Sequence, residues 1–424
     1  MKIRRVTLLI LLLTFATSQQ TSARPTGERP PGMLPVTYER LLRAEQEPEN
    51  WLTYSGQYHG QRYSRLTQIN RNNVHLLRVS WVYQTGIVEK VETTPLVVDG
   101  VMYLTQPPSD VIALDAKTGR PYWSYHPILS DQLTICCGKV NRGVAILGEK
   151  IYLATLDARL IALDAKSGNV VWDVQIADPQ SGYSSTAAPL AVKDKIVTGI
   201  AGGEFGIRGF VDAYDAETGK RVWRFHTIPR AGEAGSDTWE GDSWKTGGSP
   251  TWVTGSFDPE LNLIYWGTGN PSPAWDGEVR EGDNLYSNSI VALDADTGKL
   301  KWYFQFTPHD THDWDACQIP VLVDAEFRGR LRKLMLWPNR NAFYYVLDRE
   351  TGEFLLAREF AKQTWAEKID QNGRPIVKPN TDPSPEGTLV YPSSNGAANW
   401  WSPSYSPIAG LVYVTAYDGA DIYY

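Results

Sequence analysis

Sulfur and histidine are scarce in this chain: its 424 residues include three cysteines, four methionines and six histidines. No Cys-x-x-Cys-His sequence occurs, so the printed sequence contains no attachment site for a c-type haem. Lysines and arginines form no cluster within the region expected to fold, and the net charge is −7, so we expect no nucleic-acid partner. After the N-terminus, no segment is apolar enough to predict a transmembrane helix.

The N-terminus has the composition of a secretory signal. Three basic residues occur within the first five, residues 6–16 form an apolar run, and small residues near Ser18 or Ala23 suit cleavage. The apolar run of roughly 11 residues is too short to span a bilayer. No cysteine follows it, which argues against a lipoprotein anchor. We therefore predict that residues 1–23 are a signal peptide and that residues 24–424 form one secreted domain.

Aromatic and turn-forming residues are abundant, with 16 tryptophans, 22 tyrosines, 36 glycines and 27 prolines, which favours sheets joined by tight turns. A repeat accounts for much of this composition. It occurs five times, the last time without the tryptophan: Ile112–Trp123 (IALDAKTGRPYW), Ile161–Trp172 (IALDAKSGNVVW), Asp212–Trp223 (DAYDAETGKRVW), Val291–Trp302 (VALDADTGKLKW) and Tyr345–Leu355 (YVLDRETGEFL). The first three tryptophans recur after 49 and 51 residues, and the fourth follows after 79, which indicates an insertion.

Each repeat is interpreted as a strand, a tight turn and a second strand. An apolar strand ends at the aspartate, the chain reverses with glycine in the left-handed conformation, and the next strand carries the tryptophan. Together with the strand pair upstream of each repeat, this gives four antiparallel strands per roughly 50 residues, which is one blade of a β-propeller. We expect the repeated tryptophans to pack between neighbouring blades.

The two ends of the repeat array lead to separate predictions. Residues 77–83 are expected to form a strand that completes a blade begun elsewhere, and a further blade is expected to open within residues 400–417. The sequence stops at residues 421–424, inside what looks like another hairpin. Because proteins avoid open strand edges, we expect the sequence to be incomplete at its C-terminus, where a haem site could follow.

Two of the three cysteines, Cys136 and Cys137, are adjacent. Adjacent Cα atoms lie about 3.8 Å apart, below the usual range for a disulfide, so spacing alone favours two ordinary buried thiols over a strained bridge. The third cysteine, Cys317, has no role suggested by its neighbours, and we expect it to be a buried free thiol.

The residues around the cysteine pair resemble a known family. Residues 136–143 (CCGKVNRG) closely resemble the vicinal-cysteine segment of the methanol and ethanol dehydrogenases that use pyrroloquinoline quinone (PQQ). The resemblance covers essentially the whole chain after the signal, including residues 51–70 (WLTYSGQYHGQRYSRLTQIN), 182–219, 267–273, 307–316 and 399–407. It implies an all-β fold, an eight-bladed propeller of four-stranded blades, of which this chain supplies six or seven. It also implies a periplasmic enzyme that oxidises a primary alcohol to an aldehyde and passes electrons to a cytochrome c.

The resemblance also implies which residues bind PQQ. Cys136 and Cys137 would form a disulfide that covers one face of the quinone, and Trp252 would cover the other. Trp252 could instead pack between blades, but it stands 18 residues before Asn270, as in the family. Further positions match the family's cofactor contacts: Glu92, Arg142, Thr186, Gly202, Gly203, Arg340 and Asn399. An arginine suits a carboxylate through its fork of donors, although Arg340 aligns only with a one-residue gap.

Four positions match the family's metal site: Glu204, Asn270, Asp313 and Asp315. Taken singly, Glu204 could be an exposed loop acid and Asn270 a turn residue, but oxygen ligands in this combination suit a hard cation. Asp315 stands where the lanthanide-using branch has an extra carboxylate and the calcium branch has a small residue. We therefore expect a lanthanide ion, with calcium as the alternative.

Asp313 also matches the base that removes the hydroxyl proton of the alcohol. The family more often has Glu-Trp where this chain has Thr311 and His312, so Asp310 remains an alternative base. His309 and His312 are expected to lie outside the oxygen-rich site.

Two other functions share parts of this pattern. A PQQ-dependent sugar or polyol dehydrogenase would differ only in its substrate pocket. A non-enzymatic propeller that serves as a protein-binding scaffold would have the blade repeat, but no reason to combine the cysteine pair with Glu204, Asn270, Asp313 and Asp315. Light absorption by a bound quinone would distinguish the enzyme from the scaffold.

Overall fold

The computed structural model describes residues 24–25, 30, 32–130 and 132–424, so the signal peptide predicted for residues 1–23 lies outside the described residues. The described chain consists mainly of antiparallel strands, with one five-residue α-helix and several 3₁₀ helices of one turn. Five sets of four consecutive strands each form a sheet. This architecture confirms the predicted all-β propeller fold.

We call these five sheets blades 1 to 5. Blade 1 contains β2 (Leu96–Val98), β3 (Val101–Gln106), β4 (Asp110–Asp115) and β5 (Pro121–Tyr125), with the short β1 (Arg24–Pro25) added beside β5. Blade 2 contains β6 (Ala145–Leu147), β7 (Lys150–Ala154), β8 (Arg159–Asp164) and β9 (Val170–Gln175). Blade 3 contains β10 (Leu190–Val192), β11 (Lys195–Gly199), β12 (Phe210–Asp215) and β13 (Arg221–His226). Blade 4 contains β14 (Ser256–Asp258), β15 (Leu263–Gly267), β16 (Ser289–Asp294) and β17 (Leu300–Gln305). Blade 5 contains β18 (Val321–Phe327), β19 (Arg330–Pro338), β20 (Phe343–Asp348) and β21 (Phe354–Glu359).

Three two-stranded sheets follow blade 5. They pair β22 (Ala366–Ile369) with β23 (Pro375–Val377), β24 (Thr388–Val390) with β27 (Asp421–Tyr423), and β25 (Ser404–Ser406) with β26 (Leu411–Tyr413). The α-helix is α1 (Tyr38–Leu42), and the 3₁₀ helices are Ala44–Gln46, Val74–Leu76, Pro179–Ser181, Gly203–Phe205, Ser236–Thr238, Ser243–Thr246 and Glu278–Arg280. The described residues include no helix with both the length and the apolar character needed to cross a membrane.

The repeated aspartate organises the turn between the third and fourth strands of a blade. In blade 2, Asp164 Oδ1 accepts hydrogen bonds from the backbone N and the Oγ of Ser167, at 2.8 and 2.7 Å. Gly168 then has a φ of 73°, in the left-handed region that glycine adopts without steric cost. The ladder between the two strands shifts register just before the aspartate, and the same shift recurs in all five blades. The repeat therefore forms the predicted turn.

The repeated tryptophan joins each blade to the next. Trp123 of blade 1 donates from Nε1 to Ala165 O of blade 2 at 3.1 Å, and its ring covers Gly168, where a Cβ atom would lie 2.5 Å from the indole. The tryptophans of blades 2, 3 and 4 donate to the next blade at 3.1, 3.2 and 3.2 Å: Trp172, Trp223 and Trp302. The expected packing of tryptophan between blades is confirmed, and it explains why glycine is part of the repeat.

The turns of each blade divide the propeller into two ends. In blade 1, Ala116 N donates to Gly100 O at 2.9 Å, which places the third-to-fourth turn beside the first-to-second turn. The second-to-third turns and the connections between blades therefore lie at the opposite end. We call this second end the connection end.

Residues 33–63, which we call the N-terminal hub, contact the first strands of the blades near their first-to-second turns. Trp51 forms a bridge with Val97 of blade 1. Tyr58 O accepts from Phe257 N of blade 4 at 3.1 Å, and the next carbonyl of the hub accepts from Leu322 N of blade 5 at 2.8 Å. The hub thus contacts the first strands of blades 1, 4 and 5.

Two local predictions differ from the structure. Residues 77–83 form no strand, because no described strand lies alongside them as a ladder partner. Within this segment Trp81 nevertheless donates to Ala116 O at 3.2 Å and covers Gly119, as the blade tryptophans do. The last strand, β27, pairs with β24 instead of forming a local hairpin. The hairpin of β25 and β26, in contrast, lies where a further blade was expected to open.

The contact between tryptophan and glycine predicts a difference between two glycine substitutions. Gly168 and Gly148 both have positive φ values, 73° and 64°, so alanine costs about 1–2 kcal/mol of backbone strain at either position. Only at Gly168 would the new Cβ meet an indole ring, since nothing lies within 4 Å at Gly148. We expect Gly168→Ala to be the more destabilising by about 1–3 kcal/mol, the usual cost of overpacking, which thermal melts followed by circular dichroism will measure. Equal melting temperatures for the two variants would contradict this account of the repeat.

Candidate active site

A cavity of about 630 Å³ opens at the connection end of the propeller, within the size range of small-molecule sites. Twelve of the fourteen residues singled out in the sequence line it: Glu92, Cys136, Cys137, Arg142, Thr186, Gly202, Glu204, Trp252, Asp313, Asp315, Arg340 and Asn399. The other two, Gly203 and Asn270, lie directly behind the wall. A Cβ on Gly203 would stand 2.8 Å from Cδ of the wall residue Pro250 and 3.4 Å from Asn270 Oδ1. The structure therefore brings all fourteen residues together.

Arg142 lies buried on one side of the cavity. Its Nη2 pairs with Glu92 Oε2 at 2.6 Å, and its Nη1 donates to Thr186 Oγ1 at 2.9 Å. The guanidinium carbon lies 4.7 Å from the ring centre of Trp252 and 5.3 Å from that of Trp400, within the range of cation–π attraction. Nε is buried and has no acceptor among the described residues, and such a donor commonly marks a missing partner.

Asp315 is held by three donors from three different blades or connections. Its Oδ1 accepts from Asn270 N at 2.5 Å, and its Oδ2 accepts from Trp252 Nε1 at 2.9 Å and from Arg340 Nη1 at 2.7 Å. Burial raises the pKa of Asp315, and the charge of Arg340 opposes this rise. Unlike the tryptophans of the repeat, Trp252 therefore donates to an acidic group of the cavity and not to a carbonyl of the next blade.

Asp313 faces the same cavity in a strained backbone conformation, with a φ of 63°. Arg340 Nη2 lies 3.6 Å from its Oδ2, and no described residue donates a hydrogen bond to its carboxylate. Burial raises the pKa of Asp313 well above its ordinary value; Arg340 opposes the rise, and the charges of Asp315 and Glu204 add to it. A carboxyl group with a raised pKa and a free oxygen in a cleft is suited to accept a proton.

The oxygen atoms around Asp313 match the needs of a hard cation. Asn270 Oδ1 is buried and accepts no hydrogen bond from a described residue, so its lone pairs are free. Glu204 opens onto the cavity, and partial burial followed by the charge of Asp315 raises its pKa. Arg340 compensates only part of the charge of the three carboxylates, which together with the free amide oxygen of Asn270 fit a metal ion with oxygen ligands.

Cys136 and Cys137 form a disulfide. Their sulfur atoms and a Glu204 carboxylate oxygen lie within 4.8 Å of one another, the one such group of cysteine, histidine or acidic ligand atoms in the described residues. Bonded sulfurs lack the thiolate that binds metals, so this group places the disulfide beside Glu204 without forming a sulfur-ligated site. The oxygens of Glu204, Asp313 and Asp315 are more widely spaced, and ligands at about 2.3–2.6 Å on opposite sides of a large cation stand up to about 5 Å apart.

The loop before Asp313 is held by Asp310, which is buried and does not line the cavity. Its carboxylate accepts from the backbone N atoms of His312 and Trp314, at 3.1 and 2.8 Å. Asp310 therefore organises the loop and is poorly placed to act as the alternative base. His312 Nε2 lies 2.7 Å from Thr381 O, and His309 Nδ1 lies 2.8 Å from Gly282 O, so both histidine rings bond outside the cavity.

Comparison with known proteins places this geometry in a family. Residues 51–363 match the β-propeller domain of the PQQ-dependent glucose, ethanol and alcohol dehydrogenases. The chain belongs to this family. It is 45% identical over 404 residues to a quinohemoprotein alcohol dehydrogenase, ADH IIB, of Pseudomonas putida, covering 91% of this chain and 58% of that protein. It is 40% identical to a lanthanide-dependent methanol dehydrogenase of Methylorubrum extorquens, covering 89% of this chain and 68% of that protein.

The solved structures agree with the sequence relatives. A europium-containing methanol dehydrogenase aligns with a TM-score of 0.85 and 37% identity, covering 91% of this chain and 74% of that chain. The quinohemoprotein alcohol dehydrogenase ADHIIG of Pseudomonas putida HK5 aligns with the same TM-score and 42% identity, covering 90% of this chain and 59% of that chain. The chain thus spans between about half and three quarters of the length of the relatives it matches.

Several residues in or behind the cavity wall were missed in the sequence, and three of them, Gly269, Trp400 and Ser394, shape the site directly. Gly269 leaves room for the acidic site, because a Cβ there would lie 2.4 Å from Asp315 Oδ1. Trp400 contacts Arg142, and Ser394 O accepts a hydrogen bond from Arg340 Nη2. The adjacent Asn399 was the available signal for Trp400, whereas nothing marks Ser394 locally. Cys317 is the expected buried free thiol, and burial raises its pKa to about 12.

The raised carboxyl pKa values predict that a bound cation stabilises the protein more at neutral than at acid pH. In the metal-free protein, Asp313 and Glu204 bind protons more tightly when folded than when unfolded, so stability falls as pH rises through their folded pKa values. A cation removes this repulsion only when the groups are ionised. We expect saturating lanthanum to raise the melting temperature more at pH 7.5 than at pH 5, and Asp313→Asn to reduce that difference. An equal shift at both pH values would contradict this link.

Proposed function

We propose that this protein oxidises a primary alcohol to an aldehyde in the bacterial periplasm, with PQQ and a metal ion as cofactors. The observation that carries the proposal is one cavity that combines a vicinal disulfide, a buried arginine and an acidic oxygen cluster. Membership of the family and the alcohol dehydrogenases among its relatives support it. Together the bound quinone and metal would supply the hydride acceptor and its electrophilic activation.

Two groups of residues would hold the quinone. The disulfide of Cys136 and Cys137 and the indole of Trp252 offer flat surfaces for a planar ring. Polar contacts would come from Glu92, Arg142, Thr186, Gly202, Gly203, Arg340 and Asn399. The Nε atoms of Arg142 and Arg340 are both buried, and neither has an acceptor among the described residues. Buried donors of this kind support the recognition of a polar ligand at this site.

Asp313 would take the hydroxyl proton of the alcohol on a carboxylate oxygen. Its raised pKa makes it a stronger base than an exposed aspartate, and the charge of Arg340 favours its ionised form. The strained backbone points the side chain into the cavity, where an alcohol would enter. The electrons would then pass to a cytochrome c, a partner suggested by the quinohemoproteins among the relatives.

Glu204, Asn270, Asp313 and Asp315 would bind the metal. A trivalent lanthanide is favoured over calcium, because three carboxylates offset its charge more fully than two would. The lanthanide-dependent methanol dehydrogenases among the relatives support this choice. Sugar or polyol oxidation with the same cofactor is the alternative, and it differs only in the substrate that enters the cavity.

Enzyme assays with reconstituted protein test the proposed activity. Metal-free protein is given PQQ with either lanthanum or calcium, and dye reduction is followed with short primary alcohols, glucose and glycerol. We expect quinone absorbance from the bound cofactor and activity with primary alcohols. Activity confined to glucose or glycerol would favour a sugar or polyol dehydrogenase. The absence of bound quinone would favour a non-enzymatic protein-binding scaffold.

Replacement of Asp315 tests whether the metal is a lanthanide. Asp315→Ala removes one carboxylate and the acceptor of Trp252 and Arg340, so we expect activity with lanthanum to fall at least 100-fold. Quinone absorbance and the melting temperature serve as controls for the fold. Full activity of this variant with lanthanum would refute the lanthanide assignment.

A further inference from the structure

Arg280 lies outside the cavity and is completely buried. Among the described residues it forms no ion pair; its four hydrogen bonds go to uncharged oxygens. Nε donates to Pro273 O at 2.9 Å, and Nη1 donates to Asn284 Oδ1 at 2.8 Å. Nη2 donates to Ala274 O at 3.1 Å and to Asp310 O at 2.7 Å. Burying a guanidinium without a carboxylate partner costs free energy, which requires a compensating role.

The bonds of Arg280 join two segments that serve the candidate site. Three of its acceptors belong to the segment of residues 271–287, which we call the insert, and the fourth belongs to the loop of Asp313. The insert starts directly after Asn270 and ends directly before Asn288. Asn288 N donates to Gly269 O at 2.9 Å, which closes the insert at its base.

The side chain of Asp310 binds the same loop through its carboxylate. Asn288 Nδ2 donates to its Oδ2 at 3.0 Å, while the backbone N atoms of His312 and Trp314, on both sides of Asp313, also donate to its carboxylate. Arg280 therefore fixes the carbonyl of Asp310, and the Asp310 side chain fixes the two amides that flank Asp313. Together these bonds hold Asp313 in its strained backbone conformation.

We propose that Arg280 and Asp310 are positioning residues that hold the Asp313 carboxylate against the cavity and couple it to Asn270 through the insert. The inference rests on the proposed function, since Asp313 and Asn270 are the expected base and metal ligand. The insert thus acts as a brace for the metal site, although none of its own side chains reaches the metal ligands. Partners that orient metal ligands typically change metal affinity or activity by about 10–100-fold when replaced.

Terbium binding and steady-state kinetics test this proposal in the full chain. Terbium alone is titrated into metal-free protein, and its luminescence is sensitised by tryptophan, because Trp252 contacts Asp315. The variants are Arg280→Gln, Asp310→Asn and the control Arg349→Gln. Arg349 is also buried, but it pairs with Asp258 and Asp324 and has no bond to the candidate site.

We expect Arg280→Gln and Asp310→Asn to weaken terbium binding about 10-fold or more and to lower kcat, while KM for the alcohol changes less than threefold. Arg349→Gln should lower the melting temperature and leave terbium affinity and kcat unchanged. If Arg280→Gln does not fold, Asp310→Asn, which keeps one acceptor oxygen, gives the same readout.

Three results would overturn the brace. Wild-type terbium affinity and kcat in both site variants would show that Asp313 needs neither residue. If terbium affinity and kcat fell in proportion to the melting temperature in all three variants, the losses would reflect a general effect on stability. If the unaltered protein bound no terbium, the proposed metal site would be refuted, and the positioning role with it. Failure of the proposed function is therefore distinguishable from failure of this inference.

Discussion

The contact of one indole ring with one glycine is the constraint on which the propeller depends. Each tryptophan of the repeat donates to the carbonyl that follows the next blade's aspartate, and it occupies the space that a side chain at the glycine would fill. The contact sets the spacing of neighbouring blades. Because the connections between blades and the second-to-third turns carry most residues of the cavity, the dimensions of the candidate site follow from a packing contact at the other end of the sheets.

The second constraint is electrostatic. The cavity gathers Glu204, Asp313 and Asp315 within a protein environment that contains two arginines, of which Arg142 is already paired with Glu92. Arg340 is left to compensate the acidic side, and it lies within 4 Å of two carboxylates. Burial raises the pKa values of Asp313 and Glu204, and the charge of Asp315 raises them further. This balance of charge supports the proposal that a cation binds among these carboxylates.

Much of this arrangement was predictable from the sequence, for two different reasons. The blades follow from local chemistry, since an aspartate, a glycine and a tryptophan at fixed spacing specify a turn and its packing. The site residues followed from the resemblance to a family, not from spacing, because they meet from distant segments. Trp252 and Asp315, for example, are 63 residues apart. The unpaired segment of residues 77–83 was mispredicted as a strand because strand formation depends on a neighbour that no local pattern reveals.

Other features could not be predicted because they exist only between segments. The role of Gly269 depends on the approach of an aspartate from the connection between blades 4 and 5, and that of Arg280 depends on carbonyls at positions that carry no side-chain signal. Asp310 was a possible base in the sequence, since a pattern of acidic residues does not tell which carboxylate is enclosed by backbone amides. Burial and hydrogen bonding distinguish it from Asp313 in the structure.

The N-terminal hub has a consequence for how the protein folds. Its residues are synthesised early, yet Tyr58 bonds to Ala191, 133 positions later, and Gln61 bonds to Leu322, 261 positions later. Such distant contacts form slowly, because a long loop must close before any of them contributes. The hub can reach its final place only after blade 5 has been synthesised. In the folded protein the same contacts tie the N-terminal segment to blades 3 and 5, so these two blades cannot move apart without breaking a contact of the hub.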